Sequence, residues 1–402
     1  MPRAGPGDAC RMTDSFSPRP GPGSGPGAES QGRSGHGPER CRVRVGSADG
    51  ILAIVPHLLG FHPADSLVVL GIGGPHARIK VAFRYDLPDP PDAALAAEIA
   101  AHARAVLRRQ HLTMAIVIGY GAAEAVTPVA GPVGTALGAA GLTVQDVLRV
   151  QGGRYWSYSC DDPRCCPADG VRFDPAGHPA AAALAAAGLA VRADRAALAS
   201  TVAPAEHAAQ AMELAASRAR RRAAQLVEQA LSAQPPAGDL LQPIADAGRR
   251  SVRLAVTLYR HGGELADFDE IAWLGFALTD LRVRDDAWAR MDPAFTGAHQ
   301  RLWTHLVRLL PAELVPAPAA LLAFTAWQAG EGALASIAIE RALDADPRYS
   351  MALLIADALR AGLPPSAARL PMTPKQVAAS YAARRGRGSG PGRPGTRARP
   401  AS

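Results

Sequence analysis

Met114-Ala115-Ile116-Val117-Ile118-Gly119-Tyr120 is an unbroken apolar run closed by Gly121. A short run of this kind, β-branched at its centre and bounded by glycine, reads as a strand buried on both faces. Such a strand needs layers above and below it, so its neighbours should supply helices. Upstream, an Ala-rich stretch capped by Asp92 reads as a helix to about Gln110. Before it, Ser66–Ile72 and the alternating Ala77–Asp86 are joined by Gly73-Gly74-Pro75 and read as a β-hairpin. Ser47 is placed to cap a helix from Ile51 to Leu59, with Gly60 as its stop and Pro56 bending or shortening it. Downstream, Ala122–Ala140 reads as a helix whose start Pro128 and Pro132 leave open. Leu142–Val150 and Tyr155–Ser159 flank Gln151-Gly152-Gly153-Arg154 and form a second hairpin. With Cys41–Val45 as a short strand, residues 41–178 are predicted to be a mixed-sheet α/β sandwich of two or three layers.

From residue 179 to about 370 the pattern turns helical, and an all-α domain is expected. Its segments are Glu206–Ala230, Ile244–Arg260, Asp267–Leu281, Asp285–Met291, Ala298–Leu310, Ala319–Gly330, Ala333–Ala345 and Ser350–Ala361, with Gln234–Gly238 as a linker. Gly330, Ala335, Ala342 and Pro347 fall at the spacing of the second half of a tetratricopeptide repeat, so tetratricopeptide-like helix hairpins are expected rather than a true array.

Residues 1–40 and 382–402 are rich in Gly, Pro and Ser or Arg and are expected to be disordered. The charge is concentrated there. Six Arg and no acid lie in 382–402, and five Arg against four acids lie in 1–40, which accounts for the whole net charge of +7. The folded part is therefore about neutral, and the basic balance does not argue for a nucleic-acid-binding fold. The Arg tail itself is suited to nonspecific contact with nucleic acid or an anionic surface. No apolar run is long enough to span a membrane, and no secretion signal is visible, so a cytoplasmic protein with reduced thiols is expected.

The chemistry-bearing stretch is Arg154–Gly170, which holds Cys160, Cys165 and Cys166, three of the five cysteines. Thiolates could bind zinc. The spacing is awkward for that, because adjacent Cys165 and Cys166 should diverge and a fourth ligand must be remote, with His178, His62, Asp161 or Asp162 as candidates. Alternatively Cys160 could pair reversibly with Cys165 or Cys166, sensitised by Arg154 or Arg164. The third reading is that Asp161-Asp162-Pro163 makes a turn and the thiols pack as small apolar groups. In Gly60–Ser66, His62 and Asp65 stand at a strand end and are weak candidates for general-base work, or else serve the loop itself. Trp156 and Tyr158, with Arg154, offer a ligand or partner surface if they are not simply hairpin packing.

The segments Val55–Val69, Gly153–Tyr158, the Cys160…Cys165-Cys166-Pro167 loop, and Ala342–Pro347 with Ala361–Pro365 together resemble the actinobacterial family numbered 4192 among domains of unknown function. The resemblance covers roughly Val43 to Ser366 and carries no activity or catalytic residues with it. The residues themselves favour a recognition or regulatory protein with a helical binding surface and a Cys-rich loop, for an unknown protein or small-molecule partner. The alternative is an enzyme, zinc or thiol-redox site built by the Cys loop and Gly60–Ser66 in one shared hollow.

Overall fold

The computed structural model describes residues 46–74, 77–88, 93–233, 239–367 and 372–388. The expected features at 1–40, Cys41–Val45, Asp92, Gln234–Gly238 and 389–402 lie outside these residues. The chain forms two compact units. The first comprises the chain to Thr201 with Gly330–Ile337 and Ala356–Ala367. The second comprises Val202–Ala329, Ala338–Ile355 and the chain from Ala368. Two later segments thus return to the first unit.

The first unit is built on six strands: β1 (Ser66–Gly73), β2 (Arg78–Asp86), β3 (Met114–Tyr120), β4 (Thr143–Gln151), β5 (Arg154–Ser157) and β6 (Val171–Arg172). They form one mixed sheet in the order β2-β1-β3-β4-β5-β6, with β3 parallel to β4 and every other pair antiparallel. Helices α1 (Ala48–Leu59), α2 (Ala93–Arg109), α3 (Ala123–Ala139), α4 (Pro179–Ala186) and α5 (Arg195–Ala199) accompany it. Alternation along the strands sorts the core. Leu67, Val69, Ala115 and Val117 pack with α2 and α3, whereas Val68, Leu70, Ile116 and Ile118 pack with α1. The result is the three-layer form of the expected sandwich. Two bulges, at Lys80 and Gln145, break strict alternation, so that Val144 and Val147 face the same side.

Pro56 leaves α1 unshortened. The helix runs to Leu59 and ends on Gly60 in the left-handed region, whose N–H reaches the Pro56 carbonyl at 2.8 Å. At Gly119 a Cβ would stand 2.1 Å from Val126 Cγ1, so glycine here lets α3 lie close on the sheet. In the second hairpin Gly152 and Gly153 both have positive φ, at 57° and 71°, as a two-residue turn of the favoured twist requires.

The remaining helices are α6 (Ala209–Ser232), α7 (Gln242–Arg260), α8 (Phe268–Ala277), α9 (Leu281–Ala289), α10 (Thr296–Leu309), α11 (Pro316–Ala329), α12 (Gly332–Ala345), α13 (Ser350–Arg360) and α14 (Pro374–Gly388). In the second unit α7 packs against α6, α8, α9 and α10, around buried Tyr259, Trp273 and Trp303. Helix α14 takes in residues 382–388, the first part of the stretch expected as a disordered tail. Its start carries a capping signal. Thr373 Oγ1 accepts the Gln376 N–H at 3.3 Å, Gln376 Oε1 accepts the Thr373 N–H at 2.8 Å, and Pro374 occupies the first turn. Val377 is buried, and the Tyr381 hydroxyl donates to Asp285 at 2.6 Å.

A three-thiol cluster as candidate metal centre

The β5–β6 connection lies at the sheet edge opposite β2 and carries all three candidate cysteines. Its shape follows from Asp162. The Asp162 carbonyl accepts the N–H groups of both Cys165 (3.0 Å) and Cys166 (2.7 Å), and its carboxylate accepts the Arg164 N–H at 2.9 Å. That is one tight helical turn, with Pro163 and Arg164 inside it. The turn sets Cys165 and Cys166 side by side instead of on opposite sides of an extended chain. All three sulfurs, Cys160 included, lie within 4.8 Å of one another, and all three residues are half-buried. The expectation that adjacent cysteines diverge holds for a strand and fails for a turn.

The Cys166 thiol is pushed well above the ordinary thiol range by burial first and then by the neighbouring Cys160 and Cys165 sulfurs. This is the opposite of the activation expected from a nearby arginine. Arg164 is instead held by the Asp162 carboxylate, at 2.9 Å and 3.2 Å. Arg154 donates to the Asp169 carbonyl (2.9 Å), the Asp169 carboxylate (2.8 Å) and the Gly170 carbonyl (2.7 Å).

The aromatic residues expected to form a ligand or partner surface also tie down the loop. Trp156 Nε1 donates to the Ala168 carbonyl at 3.0 Å, and the Arg149 guanidinium stacks 3.5 Å from its ring centroid. Gly170 lies under the same ring; a Cβ there would meet it at 2.6 Å. Tyr158 shares a 2.6 Å hydrogen bond with Thr127 of α3 while remaining 38% exposed. Behind the loop Ser157 donates to Asp146 at 2.6 Å. Arg149 was not singled out from the chain. The signal for it was present, since a Gly152-Gly153 turn sets Arg149 opposite Trp156 in the hairpin register.

His62 and Asp65 do not join the sulfurs: among the described residues no carboxylate or imidazole completes the three-cysteine group. His62 lines a separate cavity of about 360 Å³ with His57 and the alanines of α4. Its backbone N–H donates to the Arg192 carbonyl at 3.0 Å. Asp65 is a turn residue at φ 42°, its carbonyl accepting the Leu87 N–H at 2.9 Å. The single hollow expected from the chain is thus replaced by two separate places. His178 is committed elsewhere too, its Nδ1 accepting the Ala180 N–H at 3.1 Å as the cap of α4.

No helix among the described residues is long and apolar enough to cross a membrane. No curated protein and no solved structure matches the chain. The family model described as Domain of unknown function (DUF4192) matches residues 49–366, most of the chain, and so includes the whole Cys160–Cys166 turn. The chain belongs to the DUF4192 family.

Proposed function

We propose that the protein is a zinc-thiolate protein that works by recognition, with the metal fixing the β5–β6 loop as a rigid edge. The observation that carries this reading is the convergence of the Cys160, Cys165 and Cys166 sulfurs within 4.8 Å. Tetrahedral zinc with Zn–S bonds of about 2.3 Å holds its sulfurs about 3.8 Å apart, so the cluster closes on an ion by moving roughly 1 Å or less. Three thiolates on one divalent ion leave a net negative centre with its fourth position open. Water, a residue outside the described ones, or a partner's side chain would fill it. The half-buried, hydrogen-bonded anchors Arg154, Trp156 and Asp162 favour a structural role over a reactive one, because they hold the backbone in place before any ion arrives. A reducing compartment such as the cytoplasm suits the reading, since the thiols must stay unoxidised to bind.

The test is elemental analysis of full-length protein purified without chelator. About one zinc per chain is expected, lost in the Cys160→Ser/Cys165→Ser/Cys166→Ser variant. Cobalt substitution should add thiolate-to-metal charge-transfer absorption in the wild type alone. Metal-free protein that shows three titratable thiols and takes up neither ion would overturn the reading.

A further inference from the structure

A second concave site lies wholly within the helical unit. It has a volume of about 470 Å³, in the range of small-molecule pockets. Arg253, Thr257 and Arg260 line it from one face of α7, and Arg290 at the end of α9 lines it from across. Met291, Pro293 and Pro374 supply an apolar side. Three guanidiniums therefore face one lining carboxylate, Asp292, which also caps the Ala294 N–H at 3.0 Å.

Two of the three cations are held in place before any ligand arrives. Arg290 grips buried Asp286 through two bonds of 2.6 Å and 3.0 Å. Arg260 donates to the Arg290 carbonyl at 3.2 Å, lies 3.8 Å from Asp292, and sits 4.6 Å from the Phe295 ring centroid. Behind it His299, 2% exposed, accepts the Asp292 N–H through Nε2 at 3.3 Å. With Nε2 accepting that N–H the imidazole is neutral, so the histidine leaves the charge of the pocket to the arginines. Arg253 is exposed, and among the described residues no carboxylate pairs with it. Arg260, held in place, and Arg253, which no carboxylate among the described residues neutralises, together suit a planar or tetrahedral oxyanion, and the apolar wall fits an organic body attached to one.

We propose that this pocket binds a small organic anion, a phosphate monoester or a carboxylate, with Arg253 and Arg260 on the anionic head and the Met291–Pro293 side on its body. The proposal is independent of the thiol cluster. The experiment is isothermal titration calorimetry on the full chain at low salt, with adenosine 5′-monophosphate, 4-phenylbutyrate and neutral adenosine as probes. At least one anion should bind with a dissociation constant below about 1 mM, at least tenfold tighter than adenosine, and more weakly as salt is added. The anion that binds identifies the head group. Arg253→Gln, a change at an exposed position that should leave the circular dichroism spectrum unaltered, should weaken binding at least tenfold. Failure of both anions, or equal binding by Arg253→Gln protein of native spectrum, would overturn the assignment.

Discussion

Burial among two other sulfurs makes the Cys166 proton hard to remove. A thiol whose folded-state pKa is raised stabilises the metal-free fold below the ordinary thiol value of about 8.5, and that contribution is lost as pH rises above it. Metal-free protein should therefore lose thermal stability between about pH 8 and pH 10, and Cys166→Ser should flatten that slope. Zinc must displace the same proton, so apparent zinc affinity should rise with pH; competition against a chromophoric chelator at two pH values reads this directly. Gly170 gives the second residue-scale expectation. At φ 78° and with the Trp156 ring 2.6 Å from any Cβ, Gly170→Ala should cost about 1–3 kcal/mol and change the near-ultraviolet signal of that tryptophan. A denaturation midpoint equal to wild type would show that the loop yields at no cost. The three cysteines themselves were legible as candidates from residue type and their grouping in one short stretch, against a spacing that argued the other way. Their convergence was not, because it depends on one carbonyl, that of Asp162, accepting two successive N–H groups.

Among the elements, strands and helices with strong patterns were readable: the β1–β2 and β4–β5 hairpins and the continuous run of β3 all stand where alternation, glycine pairs and apolar density put them. What escaped was decided by less local signals. The bulges at Lys80 and Gln145 each insert one residue and so change the face that follows, a shift set by pairing with the neighbouring strand. Helix α14 was concealed by Arg and Gly near its end, although Thr373–Gln376 announces its start. The close seat of α3 on the sheet is testable through Gly119. Adding a methyl there drives it into Val126, so Gly119→Ala should destabilise by about 1–3 kcal/mol. Val126→Ala in the same chain should restore part of that loss despite removing buried surface itself. Two independent, additive losses in urea melts would mean that the helix does not bear on the strand as described.

At the scale of the whole chain the informative feature is the return of Ala356–Ala367 to the first unit, a discontinuity that no local pattern encodes. Three side chains of the α2 region receive it. His102 Nε2 meets the Arg360 carbonyl at 2.7 Å, Arg109 the Ala361 carbonyl at 2.5 Å, and Gln110 the Gly362 carbonyl at 2.5 Å. Tyr85 fixes the other imidazole nitrogen at 2.6 Å, so His102 donates through Nε2. The Arg360 carbonyl is the last of α13, which its own helix cannot satisfy, and the Ala361 and Gly362 carbonyls belong to the turn that follows it. The α/β unit is therefore incomplete when cut from the chain after Thr201. A fragment of residues 46–201 should retain helical circular dichroism, yet show a lower and broader thermal transition than the first unit within the full chain, and poorly dispersed amide resonances. In the full chain, His102→Ala with Gln110→Ala should cost about 1–3 kcal/mol, since two carbonyls lose their donors. Adding a peptide of residues 350–367 in excess should raise the fragment's midpoint by mass action. A fragment that melts as sharply as the intact protein and ignores the peptide would show that the returning segment rests on a finished domain instead of completing it.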